Sequence, residues 1–460
     1  MLKWNRVLVV ALFGLAVTLW YHPDGVLGAE GTTWRAGFAK EQITPTEPMW
    51  MSGYAPRLAK SKLHDLWVKV LVLEAADGNR GVLITADVCG FSRKSYEAIV
   101  SALQESGWKR EEIMLTCTHT HTGPAMRDCL QVCWPWEQPD VRDLVEKYSL
   151  GVEAKIVSAV KAASERLSPV KVSIGEGKAG FGVNRRNNKE AEVPAIRARG
   201  EELRGPVNHS VPVLAVRTPE GKLLTVVFGY ACHATTLATL EWSGDYPGFA
   251  MLAIERLQPG AEGMFFSGCS ADQNPIPRSS VGLCRKYGEE LALAVHATLS
   301  EPMRELPPKF RSACEFAELN FKSPLSEEYL REKSREKSPL GVLAAGYLEE
   351  IAAGRKPAES HPYVVQVWKL GGELTWISLS GEVVVDYSLK YKRKYGPLTW
   401  VNGYAHDLVC YIPSTRILKE GGGQEVGVPW DYGIPHREWD DDIELRIDAA
   451  VDELVRSLEE

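Results

Sequence analysis

Apolar positions along the chain fall into two kinds of run, short continuous ones bounded by turn residues and longer ones at helical spacing. Residues 66–74 (L-W-V-K-V-L-V-L-E) and 80–87 (R-G-V-L-I-T-A-D), on either side of Asp77-Gly78-Asn79, predict a buried hairpin. Residues 92–106 then carry Tyr96, Ile99, Val100 and Leu103 at helical spacing and lead to the apolar run Ile113-Met114-Leu115, a buried strand. Further on, the same reading predicts a helix over 140–167 and a strand over 170–175. It predicts a strand pair at 211–217 and 223–230 around Glu220-Gly221, a helix over 249–257 and a short strand at 264–266. Strands return at 363–370 and 374–379, followed by a helix over 383–392, a strand at 399–401 and a closing helix over 440–458. That last helix sets Ile443, Ile447, Val451 and Val455 on one face behind the capping run Asp440-Asp441-Asp442. Between them, residues 300–360 read as a charged helical insertion or cap, with helices over 326–337 and 340–352. Strand, helix and strand in alternation predict an α/β core.

The polar residues that interrupt this pattern gather where strands end, the place where sites form in open α/β sheets. Leu115 to Pro124 reads L-T-C-T-H-T-H-T-G-P and sets His119 and His121 two apart; in an extended chain such residues point to the same side. One imidazole can then bind a metal and the other move a proton. A third histidine, His233, follows the strand at 223–230, and Glu382 follows the strand at 374–379 in Ser380-Gly381-Glu382. Tyr411 comes shortly after Asn402-Gly403-Tyr404-Ala405-His406, and Asp272 and Asn274 lie in the turn after the strand at 264–266. Arg185, in Gly182-Val183-Asn184-Arg185, either clamps a carbonyl or carboxylate or forms a solvated pair with Arg186. Met51-Ser52-Gly53-Tyr54 is a glycine loop that approaches a ligand or merely turns. Each residue has an ordinary alternative: Glu382 a carboxylate on a helix dipole, Tyr411 a core aromatic, His233 a satisfied strand-end histidine, Asp272 a turn former.

Composition narrows the class. With 460 residues, 45% hydrophobic and 25% charged, the chain is ample for a large core, and a formal net charge of −7 without a long basic run argues against nucleic acid as partner. Lys3 and Arg6, the apolar run from Val7 to Trp20 and the small pair Gly28-Ala29 read as an export signal over residues 1–29, with an uncleaved signal anchor as the alternative. The body, residues 30–460, is then expected outside the cytoplasm, periplasmic, extracellular or membrane-tethered. Nine cysteines do not form a disulfide framework; Cys117, Cys232, Cys269 and Cys410 sit close to candidate site positions as small fillers, with Cys117 the rival metal ligand.

Taken in order, Thr118 through Pro124, Cys232-His233-Ala234-Thr235-Thr236, Ser243-Gly244-Asp245-Tyr246-Pro247-Gly248, Ser380-Gly381-Glu382 and Gly403-Tyr404 through Tyr411 resemble the motifs of the neutral/alkaline (non-lysosomal) ceramidase family, over roughly residues 36–432. The resemblance implies a zinc amidase that splits ceramide into fatty acid and sphingosine. It implies one Zn2+ per chain on His119, His233, Glu382 and Tyr411, with His121 as the catalytic histidine and Arg185 as a substrate-holding arginine. Two positions depart from the family: Asn274 stands where an active-centre serine is expected, and a second tyrosine, expected about a dozen residues after Tyr411, falls on Gly423. The resemblance also implies one large α/β domain with central mixed β-sheets flanked by helices, and the immunoglobulin-like C-terminal domain of longer relatives is not expected here.

Water activated by a metal needs no serine, so an amidase mechanism survives the first departure, with His121 moving the proton and Asn274 left to hydrogen-bond the oxyanion or the substrate. Three readings remain open on sequence: an exported zinc amidase acting on an N-acyl lipid or related compound, a metal-holding binding protein without turnover, and a zinc esterase or amidase with another substrate. A lipid substrate brings peripheral membrane contact as an expectation; the oligomeric state is left open.

Overall fold

The computed structural model describes Met1 and residues 33–459; apart from Met1, the leader expected over residues 1–29 lies outside them. The architecture has four layers, helices on sheet on sheet on helices. The larger sheet has nine strands in the order Glu262–Ser267, Leu223–Tyr230, Ser210–Arg217, Ser168–Lys178, Trp34–Gln42, Trp67–Glu74, Arg80–Ala86 and Ile113–Cys117, with Arg304–Glu305 added beside Ser168–Lys178. Its interior pairs are antiparallel, while the pair at each end is parallel. Each parallel pair is joined through a helix, Arg93–Gln104 at one end and Asp245–Leu257 at the other, as a parallel connection requires.

The near-continuous apolar runs follow from burial of both sheet faces. Val68, Val70 and Val72 pack with Tyr96, Ile99, Val145 and Val152 in the helical layer, whereas Leu71, Leu73, Leu83 and Met114 pack against Trp368, Trp376 and Trp400 of the second sheet. That second sheet runs Phe310–Asn320, Ser360–Leu370, Leu374–Ser380 and Thr399–Ala405, and its outer face is covered by the helices Val385–Tyr395 and Ile443–Ser457.

The predicted hairpin is present as Trp67–Glu74 paired with Arg80–Ala86 in antiparallel register. The segment 300–360 departs from its purely helical expectation. The helices Glu327–Lys333 and Pro339–Ala352 are there, and Phe310–Asn320 is an eleven-residue strand paired along its length with Ser360–Leu370. Its charges, Arg311, Glu315 and Glu318, lie on an edge strand, which pairs on one side only and leaves these side chains exposed or half-buried. At the closing helix, Asp442 is the N-terminal residue, but its side chain makes no cap bond and accepts from Arg446 at 2.7 Å instead.

The two ends of the large sheet lie against each other. Ser267 Oγ donates to the Cys117 carbonyl at 3.1 Å and Thr85 Oγ1 to the Phe265 carbonyl at 2.6 Å. This closure brings the loop after Ile113–Cys117 to the loop after Leu223–Tyr230, with His121 N donating to the Ala234 carbonyl at 3.2 Å.

Candidate metal centre

His119 is not in extended conformation. The strand stops at Cys117, and His119 has φ of 55°, in the left-handed region. The premise that residues two apart share a face therefore fails at this step, and a local reversal brings the rings together instead, with Nε2 of His119 and Nε2 of His121 3.1 Å apart. The turn is pinned from outside: Thr120 and Thr122 hydroxyls both donate to the Ser243 carbonyl, at 2.6 and 2.8 Å. Gly53 packs on the His121 ring so closely that a Cβ there would collide with it, which gives the glycine loop a role as a backstop for that ring.

His233 is held in the same way. Asp245, with φ of 52°, accepts from the backbone N–H groups of Thr236, Leu237 and Tyr246, and the Tyr246 hydroxyl donates to the Cys232 carbonyl at 2.5 Å. The run Ser243-Gly244-Asp245-Tyr246 thus clamps both histidine loops. Glu382 comes from the second sheet, after Gly381 at φ of 71°, where a Cβ would meet the Cys410 carbonyl oxygen at 2.7 Å. Parallel pairing of Glu382 with Tyr411 sets these two side by side.

Three side chains converge. His119 Nε2 lies 3.5 Å and His233 Nε2 3.1 Å from Glu382 Oε2, and all three residues are essentially buried. Nδ1 of His119 sits 2.6 Å from the Cys89 carbonyl and Nδ1 of His233 2.7 Å from the Ser270 carbonyl. A neutral imidazole has one N–H, and here the carbonyls claim it at Nδ1, which fixes the tautomer. Burial, followed by the Arg185 charge, lowers the pKa of His233 to about 4, so it is neutral near pH 7. Two Nε2 lone pairs and a carboxylate then face one another, an arrangement that is repulsive unless a cation sits between them. The donors are those zinc takes, with the carbonyl-anchored imidazoles typical of its ligands.

Glu382 carries this cluster to the edge of a cavity of about 970 Å³, which is lined also by His121, Arg185, Asn274, Tyr411 and Tyr432, among others. Among the described residues His121 Nδ1 has no hydrogen-bond partner, and the ring packs edge-on against Tyr54; burial, with His119 and His233 beside it, holds its pKa well below the ordinary value. Arg185 is fully engaged: Nε donates to Glu425 Oε1 at 2.6 Å, Nη1 to Asn274 Oδ1 at 3.3 Å and Nη2 to the Tyr411 hydroxyl at 3.1 Å. The solvated alternative for Arg185 does not hold. It meets Asn274 because Gly182–Asn184 and Gln273–Pro275 form an antiparallel ribbon.

Asp272 is placed differently from the other sequence candidates. It lies behind the wall, accepting from Val385 N at 2.9 Å and Asn184 Nδ2 at 3.1 Å, and is not among the residues that line the cavity. Burial pushes its carboxyl up to about 6. Cys117 is buried with Sγ directed to the carbonyls of Cys89 and Tyr404, and the cysteine near the cluster is Cys89, with Sγ 3.7 Å from His119 Nδ1. All nine cysteines are unpaired.

Sequence reasoning missed two residues. Tyr432 donates a hydrogen bond to Glu382 Oε1, so a second tyrosine does stand at the centre, later in the chain than Gly423. Glu425 pairs with both Arg185 and Arg186, at 2.6 and 3.0 Å. Neither follows a predicted strand, so strand-end logic had no hold on them.

Comparison with known proteins agrees with this geometry. No curated protein matches the chain in sequence. The crystal structure of neutral ceramidase from Pseudomonas aeruginosa superposes with a TM-score of 0.69 at 17% identity, covering 92% of this chain and 75% of the other. A structure described as ceramidase complexed with C2 gives 0.68, also at 17% identity, over 92% and 76%. These two establish the fold. The sequence model for the neutral/alkaline non-lysosomal ceramidase N-terminal region matches residues 34–271, more than half of the chain, and the protein belongs to that family.

Proposed function

We propose that the chain is a zinc-dependent amidase that cleaves an N-acyl bond, with His119, His233, Glu382 and Tyr411 holding one Zn2+. The observation that carries this reading is the facing of two carbonyl-anchored imidazoles and a carboxylate within one buried cluster. A zinc ion held there would supply Lewis acidity, lowering the pKa of a water toward about 7 and polarising an amide carbonyl.

The chain's own residues complete the chemistry. His121 is neutral and beside the cluster, so its Nε2 accepts the proton lost by attacking water and returns it to the leaving nitrogen. Asn274 turns Oδ1 to Arg185, which leaves its Nδ2 hydrogens without a partner among the described residues and able to donate to the developing oxyanion. Tyr432 orients Glu382 through its hydroxyl, and Arg185 holds the Tyr411 hydroxyl in place. Asp272 fixes the ribbon that carries Asn274 and the start of the helix Val385–Tyr395. The leader pattern over residues 1–29 supports action outside the cytoplasm, and a lipid amide would add peripheral membrane contact.

The test is metal analysis of the purified protein, followed by a screen of ceramides, N-acyl amino acids and aryl amides with and without chelator. About one zinc per chain and a chelator-sensitive amidase activity are expected. Zinc bound without turnover on any amide or ester overturns the reading in favour of a binding protein.

A further inference from the structure

The wall beyond the reacting centre is charged, whereas sites for neutral lipids are lined mainly by apolar side chains. Among the described residues, Leu130, Ile276 and Val428 are the aliphatic side chains on the cavity lining, too few to cover a long acyl chain. Four cations, Arg185, Arg186, Lys189 and Arg278, face four carboxylates, Glu190, Glu382, Glu425 and Asp431. That balance is neutral, and a divalent ion on Glu382 turns it positive.

These cations are not equally free. Arg185 is spent on Glu425, Asn274 and Tyr411, and Arg186 on Glu425, Glu420 and the carbonyls of Gly421 and Gly422. Lys189 is 84% exposed and pairs outward with Glu192. Arg278 differs. Its Nε donates to Glu190 at 2.8 Å, Nη1 only grazes the Thr235 carbonyl at 3.5 Å, and Nη2 has no partner among the described residues. The planar end of its guanidinium therefore keeps two parallel N–H groups for an incoming pair of oxygens, the geometry that matches a carboxylate or phosphate. Arg278 is four residues beyond Asn274 on the same cavity-lining segment, so its anion would belong to the molecule being cleaved.

We propose that the substrate is a polar amide bearing an anionic group, carboxylate or phosphate, which the free end of Arg278 receives. This rests on the amidase reading above. The experiment uses zinc-loaded full-length protein with four probes: N-acetylglycine, its uncharged carboxamide, N-acetylethanolamine phosphate and a short-chain ceramide. Binding is followed by calorimetry and hydrolysis by product release.

At least one anionic probe is expected to bind and react about tenfold better than the carboxamide, and whichever does so identifies the anion. Arg278→Gln should abolish that preference and Arg278→Lys should restore part of it, chiefly in KM. Equal affinity for charged and uncharged probes, a preference that survives Arg278→Gln, or faster turnover of ceramide than of either anionic probe overturns the proposal. Should an anionic probe bind in an Arg278-dependent way with no amide hydrolysed, the anion site stands and the amidase reading falls. Should ceramide be cleaved while neither anionic probe binds, the amidase reading stands and the anion site falls.

Discussion

The floor of the cavity and its outer wall are built on different principles. At the floor, Glu382 lines the cavity with His119 and His233 against it; all three leave strand ends or a strand-linked turn, are buried, and the two imidazoles are aimed by main-chain carbonyls. On the wall, Arg185 and Arg186 share one carboxylate, Glu425, from a glycine-rich stretch near the end of the chain, and are held besides by Asn274, Tyr411, Glu420 and the carbonyls of Gly421 and Gly422. A carbonyl anchor survives substitution of the residue that bears it, so the floor can stay fixed while neighbours change. The wall depends on particular charges, so it can change without disturbing the cluster of His119, His233 and Glu382.

The sharpest contrast is expected on the floor itself. His119→Ala combined with His233→Ala should abolish metal retention and activity, read by metal analysis of purified protein; zinc kept at one per chain would break the comparison. His121→Ala should keep the metal and lose about 10²- to 10⁴-fold in rate, a separation of binding from proton transfer. Asn274→Ala should lower kcat by about 10²-fold with metal content unchanged, since a wall-side donor is removed. Ceramide cleavage gained in Asn274→Ser would mark that position as the point of substrate divergence.

Glu425→Gln tests the wall through stability. Removing the shared carboxylate should cost about 3 kcal/mol in denaturant unfolding near pH 7, because two largely buried guanidinium groups lose their partner. Burial pushes the Glu425 carboxyl up, but Arg185 and Arg186 more than offset it and hold it below the usual range. A depressed folded-state pKa contributes stability that is fully present above the unfolded value of about 4.3 and is lost as pH falls through the folded one. The gap between wild type and Glu425→Gln should thus be constant above about pH 5 and close in more acidic solution. The smallest effect is expected for Tyr432→Phe, about fivefold in rate, since one hydrogen bond to a ligand carboxylate is lost while the carboxylate stays in place.

Much of the floor was legible as pattern. The apolar runs marked the strands, and His119, His121, His233 and Glu382 stood where those runs stopped, because burial of both sheet faces forces function to the ends. The conformation at His119 was not legible, since a positive φ on a histidine has no local signature and is imposed by Ser243 and Ala234 far along the chain. The strand Phe310–Asn320 was hidden by its charges, which suit an edge strand as well as a solvated helix. Tyr432 and Glu425 escaped because their importance lies only in what they touch.

Sequence by itself determined the alternation of strands and helices, the residue types able to hold a metal, and the likeness to one enzyme family, all of which depend on local periodicity and short ordered motifs. Tertiary structure alone decided that the two ends of the large sheet meet and that Asp272 stands behind the wall. It also decided that Arg278 keeps an open edge while Arg185 does not. Those outcomes depend on which distant groups compete for the same hydrogen bonds, and that competition exists only once the chain has closed on itself.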